Sequence, residues 1–291
     1  MSQQKKTFLL ESGLLEDIPR SSALLEKLCQ FHWEYYSELA FQRAKVYDAL
    51  KASLQEPAKA FQFSAWQRAV RYKYSLNPLS AKGSRVDPGG RFNIGAIDTA
   101  RFVVFPGLYL AADKSTSLAE LLGRTNSDQS LNPQELALTR PDSITIVSVS
   151  GNLESVLDVR EKKNLKGFVD LIKDFQLSAT LRARARSLGL RPFLLTLVNT
   201  PEILQKELTK DNWRLFPMQF DVPSPSQIFG QIVMDAGIEG ILYDSTLTGQ
   251  SCLVVFPLNF SNSPSYVELD GPLPSDSVPR RIDEDTFKNF L

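Results

Sequence analysis

The chain has 291 residues, enough for one large domain or two small ones and for a sizeable core, and its 43% hydrophobic and 23% charged residues place it among ordinary globular sequences. Its 33 basic and 33 acidic residues cancel, so no general field draws in nucleic acid or anionic lipid, and a phosphate site must be a local pocket suited to a small anion. One histidine and two cysteines leave little room for a histidine-based triad or a zinc site, and no metal site is expected.

The opening residues lead into only a three-residue apolar run, Phe8-Leu9-Leu10, before Glu11, too short for the core of a signal peptide. The longest nearly apolar run, Phe102 to Ala112, is broken by Pro106 and Gly107 and falls short of the roughly 20 residues that span a bilayer. A soluble protein acting in the cytoplasm is therefore expected, without a membrane or nucleic-acid partner. Cys29 and Cys252 stand far apart in unlike apolar contexts and read as two buried thiols, and His32, within Phe31-His32-Trp33, reads as a half-buried core residue.

Residues 21 to 62 predict two helices, with Leu24, Leu25, Leu28, Phe31 and Tyr35 at helical spacing, then Leu39, Ala40, Ala44, Tyr47 and Leu50, closed by Pro57. This is an N-terminal helical extension over residues 1–60, whose wide apolar stripe packs on the domain after it or binds a partner, and which could inhibit that domain in cis. Phe63 to Tyr74 predicts a strand that carries Arg71. A turn-rich loop through Asn77-Pro78, Gly83-Ser84 and Asp87-Pro88-Gly89-Gly90 then delivers Arg91. Phe102-Val-Val-Phe and Gly107-Leu-Tyr-Leu-Ala read as strand, with Tyr109 near its middle. Ser115 to Gly123 reads as a short helix that presents Glu120, with Ser115 or Thr116 as cap.

Residues 124 to 142 are polar and loop-like, Ile144-Thr-Ile-Val-Ser-Val predicts a strand, and residues 160 to 190 show helical spacing. Arginines at every second position in Arg182-Ala-Arg-Ala-Arg diverge around a helix and read as a solvated face rather than a phosphate site. Phe193-Leu-Leu-Thr-Leu-Val is a strand candidate. Ser224 caps a helix from Pro225 through Met234 that Gly237 stops. Ile241-Leu-Tyr and Cys252-Leu-Val-Val-Phe are strands, which places Ser245 at a strand end. Residues 263–291 read as an extended, proline-containing acidic tail.

Taken singly, Gly-Gly-Arg is a turn with a surface arginine, Tyr109 a core residue, Glu120 a solvated helix residue and Ser245 a turn residue. Their ordered combination says more. Arg71, Gly89-Gly90-Arg91-Phe92-Asn93, Leu108-Tyr109-Leu110-Ala111, Ala119-Glu120 and Gly240-Ile-Leu-Tyr-Asp-Ser245 before Leu253-Val-Val-Phe256 resemble the RES domain family, named for its Arg, Glu and Ser. Phe92 stands where tryptophan is common in that family. The spacing of Glu120 and Ser245 implies an insertion within 124–215 of a domain over residues 61–262.

The resemblance implies an α+β fold, an ADP-ribosyltransferase-like split β-sheet with flanking helices. It also implies an NAD-degrading enzyme that cleaves the nicotinamide–ribose bond by phosphorolysis or hydrolysis, acting as a toxin and neutralised by an antitoxin. NAD is then a substrate, with inorganic phosphate as a co-substrate of the phosphorolytic form, and no prosthetic group is expected. Glu120, Arg71 and Ser245 are the expected catalytic residues, and Arg91, Tyr109, Gly89, Gly90 and Asn93 are expected to bind NAD. The chemistry suits them. Nicotinamide leaves as a neutral molecule and needs no proton donor, a carboxylate stabilises the oxocarbenium-like sugar, arginine forks bind phosphate oxygens, and glycines admit backbone amides to a phosphate. Tyr109 would stack on nicotinamide, and Ser245 would hold ribose or amide. The alternatives are a protein mono-ADP-ribosyltransferase and a non-catalytic module that binds a nucleotide or a partner.

Overall fold

The computed structural model describes residues 12–122, 144–190, 197–271, 273 and 278–291, and the side chains of that set from residue 23 onward. Two helices come first, α1 (Ser12–Lys45) and α2 (Tyr47–Gln55). Strand β1 (Lys59–Arg71) comes next and ends on Arg71. The two-residue strands β2 (Gly89–Gly90) and β3 (Asn93–Ile94) form a tight hairpin with Arg91 and Phe92 at its tip. After them stand β4 (Leu108–Ala111), α3 (Lys114–Leu122) and the long β5 (Ile144–Asp158).

Helices α4 (Lys166–Ile172), α5 (Ala179–Ser187), α6 (Pro201–Leu208), α7 (Leu215–Phe220) and α8 (Pro225–Asp235) lead to β6 (Gly240–Asp244) and β7 (Ser251–Val255). Strands β8 (Tyr266–Leu269) and β9 (Arg281–Ile282) complete the order.

The larger sheet runs β1-β4-β7-β6-β5-β8-β9, and β1 also pairs with β5, so that β1, β4, β7, β6 and β5 close into a ring. Closure needs a strand that meets two partners. β1 lies antiparallel to β5 from Lys59↔Val156 to Arg71↔Ile144 and reaches β4 at Gln67↔Ala111. A register shift between Phe63 and Trp66, where Ala65 takes φ 58°, bends it to do so. The parallel pair β5–β6 contrasts with its antiparallel neighbours and is reached through the helices α4–α8.

The period-2 alternation of β6 and β7 splits the core. Ile241, Tyr243, Cys252 and Val254 face the helices, meeting Leu50 and Leu54 of α2, Phe168 of α4 and Phe229 of α8. Leu242, Leu253 and Val255 face the other way, against Phe63, Leu153 and the C-terminal Phe287 and Phe290. Each such side chain, fully buried, contributes about 1.5–3 kcal/mol. The residues expected to form an extended tail thus supply two strands and core phenylalanines. Glu239 fixes the start of β6: its Oε2 accepts from the Glu154 and Ser155 amides (2.7 and 3.1 Å) and from the Ser265 hydroxyl (2.7 Å).

Two local expectations are corrected. Phe102–Phe105 is not a strand: Phe102 stacks on Trp33, while the Phe105 N–H and C=O are taken by Ile94 and Asn93. The cap of α3 is Asp113, whose carboxylate accepts from the Thr116 amide at 2.9 Å, rather than Ser115 or Thr116. Residues 124 to 142 and Phe193 to Thr196 lie outside the described residues, and Leu197 and Val198 are irregular. On α5, Arg182 and Arg186 are exposed and Arg184 pairs with Glu34 of α1. Among the described residues no helix is long and apolar enough to cross a membrane.

Candidate active site

One cavity of ≈ 500 Å³ opens where β1, β4 and β7 meet the hairpin of β2 and β3, and Arg71, Gly89, Gly90, Arg91, Tyr109 and Glu120 all line it. Ser245 and Asn93 do not. They stand behind the wall and hold it.

Glu120 is delivered by α3, whose first turn is fixed twice. Asp113 accepts from the Thr116 amide and also from the hydroxyls of Ser115 (2.6 Å) and Thr116 (2.7 Å). Burial raises the Asp113 carboxyl, but these hydrogen bonds outweigh it and hold the group below its ordinary value. The fully buried Thr116 hydroxyl also meets that of Thr248 at 2.9 Å, which joins α3 to the turn after β6. In that turn the buried Ser245 gives its hydroxyl to Glu120 Oε1 at 2.5 Å and accepts from the Leu247 amide. The Ser245 hydroxyl therefore orients the carboxylate, where the sequence suggested contact with ribose or amide.

The hairpin tip is held from every side. Asn93, fully buried, accepts from the Gly90 amide and the Tyr109 hydroxyl (both 2.9 Å) and donates to the Ser84 and Phe105 carbonyls (2.7 and 2.9 Å). Tyr109 receives the Phe92 N–H on its hydroxyl oxygen at 3.0 Å and turns its ring to the cavity. Gln227, in the first turn of α8, completes a capping box with Ser224 and gives its amide to the carbonyls of Pro88, Gly90 and Asn93. A Cβ on Gly90 would stand 2.2 Å from the Tyr109 hydroxyl, and one on Gly89, where φ is 94°, 2.4 Å from the Asn93 carbonyl oxygen. Both glycines answer first to the packing of their own loop.

Arg91 is 7% exposed, and its guanidinium is largely committed to the protein. Nη1 donates to the Lys210 carbonyl at 2.8 Å and Nη2 to Thr246 Oγ1 at 3.3 Å. Arg71, by contrast, is exposed and makes no side-chain hydrogen bond or ion pair with the described residues.

The sequence reading missed Trp213 and Arg214, which line the cavity from the stretch 124–215 just before α7. The Arg214 guanidinium lies over the Trp213 ring, 4.5 Å from its centre. Burial, and then the charge of Arg91, pull Arg214 below its ordinary value, and the Glu120 carboxylate opposes them. Only the Trp-Arg pair in a polar stretch could have flagged these residues. Arg68 was missed too: its three donors go to the carbonyls of Pro78, Tyr109 and Ser80 (2.7, 2.9 and 2.8 Å), fastening β1 to the loop and to β4.

The charged lining is Arg68, Arg71, Lys73, Arg91 and Arg214 against Asp87 and Glu120. The balance is cationic in a chain of zero net charge, so the cavity suits an anion with a cationic or electron-poor part near Glu120. Burial pushes the Tyr109 and Tyr243 hydroxyls and the Cys252 thiol above their ordinary values, so none is ionised at neutral pH. Among the described residues no group of three His, Cys, Asp or Glu side chains could hold a metal ion. Among the described residues no lining residue precedes Arg68.

Comparison with protein families matches residues 65–274 to the family described as RES domain. No curated protein matches the chain. Among solved structures the chain is similar to "Crystal structure of the M.tuberculosis MbcT-MbcA toxin-antitoxin complex", at 14% identity and a TM-score of 0.38, over 83% of this chain and 96% of that one.

Proposed function

The chain belongs to the RES domain family, and from that premise we propose that it degrades NAD at the nicotinamide–ribose bond, with inorganic phosphate or water as acceptor, on a split sheet of the ADP-ribosyltransferase kind. The observation that carries this reading is the Glu120 carboxylate held by Ser245 at 2.5 Å on the wall of a cationic cavity.

The reacting ring of NAD is cationic and its linker is a diphosphate dianion, which matches the Glu120 carboxylate among several arginines. The bond from the sugar carbon to the ring nitrogen breaks, and its electron pair leaves with neutral nicotinamide. Positive charge grows at the sugar, where Glu120 stabilises it. A lone pair of phosphate or water then forms the new carbon–oxygen bond, and a water acceptor releases its extra proton to solvent. Glu120 is the catalytic residue, and Ser245 is a positioning residue acting through it. Arg71, Arg214 and the uncommitted edge of Arg91 hold the diphosphate and a phosphate acceptor by charge-assisted hydrogen bonds. The Tyr109 ring is the stacking surface for the base.

As a family toxin the chain would act in the cytoplasm and be silenced by an antitoxin that fills this cavity. Incubating the purified protein with NAD, with and without phosphate, and weighing the products tests the reading. ADP-ribose phosphate means phosphorolysis, ADP-ribose means hydrolysis, and mass added to protein means transfer to a side chain. Intact NAD after prolonged incubation, or equal turnover by Glu120→Gln, would overturn it.

A further inference from the structure

The connection between α6 and α7 meets the active-site cavity twice. Its Lys210 carbonyl accepts from Arg91 at 2.8 Å, and its Trp213 and Arg214 line the cavity. It lies within the stretch 124–215, so these contacts are additions to the Arg, Glu and Ser for which the family is named.

Trp213 is 5% exposed, yet its indole N–H makes no hydrogen bond with the described residues. It is not walled in. Among the described residues that are buried or half-buried, the side-chain polar atoms that lack both a partner and contact with solvent are His32 Nδ1 and Asn77 Oδ1. The Trp213 N–H therefore reaches open space, and the space beside it is the cavity that the residue lines. A donor set so deep, unpaired and open is placed for an acceptor that enters from the cavity.

The neighbouring groups select that acceptor. The Arg214 guanidinium lies over the Trp213 ring, 4.5 Å from its centre, without a hydrogen bond or ion pair to the described residues. Burial and then the charge of Arg91 lower its pKa, so a second guanidinium is near enough to repel it. Arg91 gives Nη1 to Lys210 and Nη2 to Thr246, and its Nε donor stays free among the described residues. Indole and guanidinium groups donate and never accept. Two guanidinium charges beside a neutral donor call for a dianion with several oxygens, which is phosphate chemistry more than that of a lone carboxylate.

We propose that Trp213 Nε1–H, Arg214 and the Nε edge of Arg91 form a subsite for phosphate oxygens, in which Trp213 is the neutral donor that orients them. The donors alone name a phosphate group; that it is the diphosphate of a dinucleotide or a phosphate acceptor rests on the NAD reading above.

The test follows the Trp213 indole N–H signal of the full-length wild-type chain by NMR, assigned through its own backbone, as inorganic phosphate, pyrophosphate or ADP is added. A saturable shift of that signal is expected, with the indoles of Trp33 and Trp66 unmoved. If only pyrophosphate and ADP act, the subsite holds the diphosphate; if inorganic phosphate acts too, or alone, it holds a free phosphate. Trp213→Phe, which keeps a ring beneath Arg214 and removes the N–H, should weaken binding of the active anion about tenfold. No saturable shift with any of the three anions, or equal shifts of all three indoles, overturns the proposal, as does unchanged affinity in a folded Trp213→Phe. The first two outcomes use the unaltered chain and do not depend on whether the variant folds. NAD cleaved by a chain whose Trp213 signal never moves sinks the subsite alone, whereas anions bound at Trp213 without NAD cleavage sink the NAD reading alone.

Discussion

Ser245 and Glu120, 125 positions apart in sequence, are joined by a hydrogen bond of 2.5 Å from the serine hydroxyl to the carboxylate. Removing the hydroxyl leaves Glu120 charged but free to turn. Ser245→Ala should lower kcat for NAD cleavage roughly tenfold to a hundredfold with little change in KM, since misplacing a reacting group by ~1 Å costs about that much. Ser245→Thr, which keeps the hydroxyl, should recover part of the loss. Glu120→Gln should cost more, on the order of a thousandfold, because the charge itself is lost. Initial rates at varied NAD separate the three; a Ser245→Ala defect confined to KM would assign the serine to substrate instead.

Arg91 and Arg214 should fail differently. Arg91 is buried and bonded to the Lys210 carbonyl and to Thr246, a fork that lysine cannot reproduce. Arg91→Lys should destabilise the fold by ~1–3 kcal/mol through the groups left unpaired. The Arg214 side chain reaches solvent at the cavity wall and bonds no protein carbonyl among the described residues, so Arg214→Gln should leave the urea midpoint unchanged while raising KM for NAD about tenfold. Denaturation curves beside rate measurements decide this, and a midpoint shift in Arg214→Gln would argue for a structural role.

Gly230 sits inside α8, where alanine normally gains about 1 kcal/mol. Here an added Cβ would meet the Phe92 carbonyl oxygen at 2.0 Å and its carbon at 2.6 Å. Overpacking of that kind costs about 1–3 kcal/mol, so Gly230→Ala should destabilise the chain and displace the tip that carries Arg91. A variant of unchanged or higher stability would show that α8 and the hairpin separate freely.

His32 sets a pH dependence. In the unfolded chain it protonates near pH 6.5, but in the fold only near about 4 because of burial. Between those values the unfolded state holds more protons, so stability declines as pH falls from 6.5 towards 4. His32→Phe removes this contribution. Relative to the variant, the wild type should lose on the order of 1–2 kcal/mol between about pH 7 and about pH 5, read from urea unfolding. An identical difference at both pH values would mean that the ring takes up its proton without penalty.

What could be read from the residues followed local rules. The capped helix from Pro225 and the strands around Ser245 rest on period, turn residues and caps, and each stands where those signals put it, whereas the strand read from Phe63 to Tyr74 runs from Lys59 to Arg71 and gives way to a 3-10 turn at Tyr72–Tyr74. Phe102–Phe105 had strand composition, yet Trp33 and the loop carbonyls claimed it from a distance. The site divides similarly. Its residue types could be recognised in order, but which of them face the cavity could not. Asn93 and Ser245 look like ligand contacts in sequence and act as braces in three dimensions, while Trp213 and Arg214 offer only an adjacent Trp-Arg pair as a signal of the cavity they line. Such outcomes depend on which long-range carbonyls and hydroxyls each side chain meets, and no periodicity encodes that.

The ring of strands that pairs β1 with both β4 and β5 also imposes an order in time. A chain being synthesised from its N-terminus presents Arg71, Arg91 and Glu120 early. The carbonyl that holds Arg91 arrives only with Lys210, the hydroxyl that holds Glu120 only with Ser245, and the strand that floors β4 only with Val255. A truncated product that ends before Ser245 therefore carries every arginine of the cavity and the Glu120 carboxylate and still lacks the frame that aims them. Competence for the reaction proposed here therefore waits for the segment from Lys210 to Val255, and any neutralising partner already translated can meet it then.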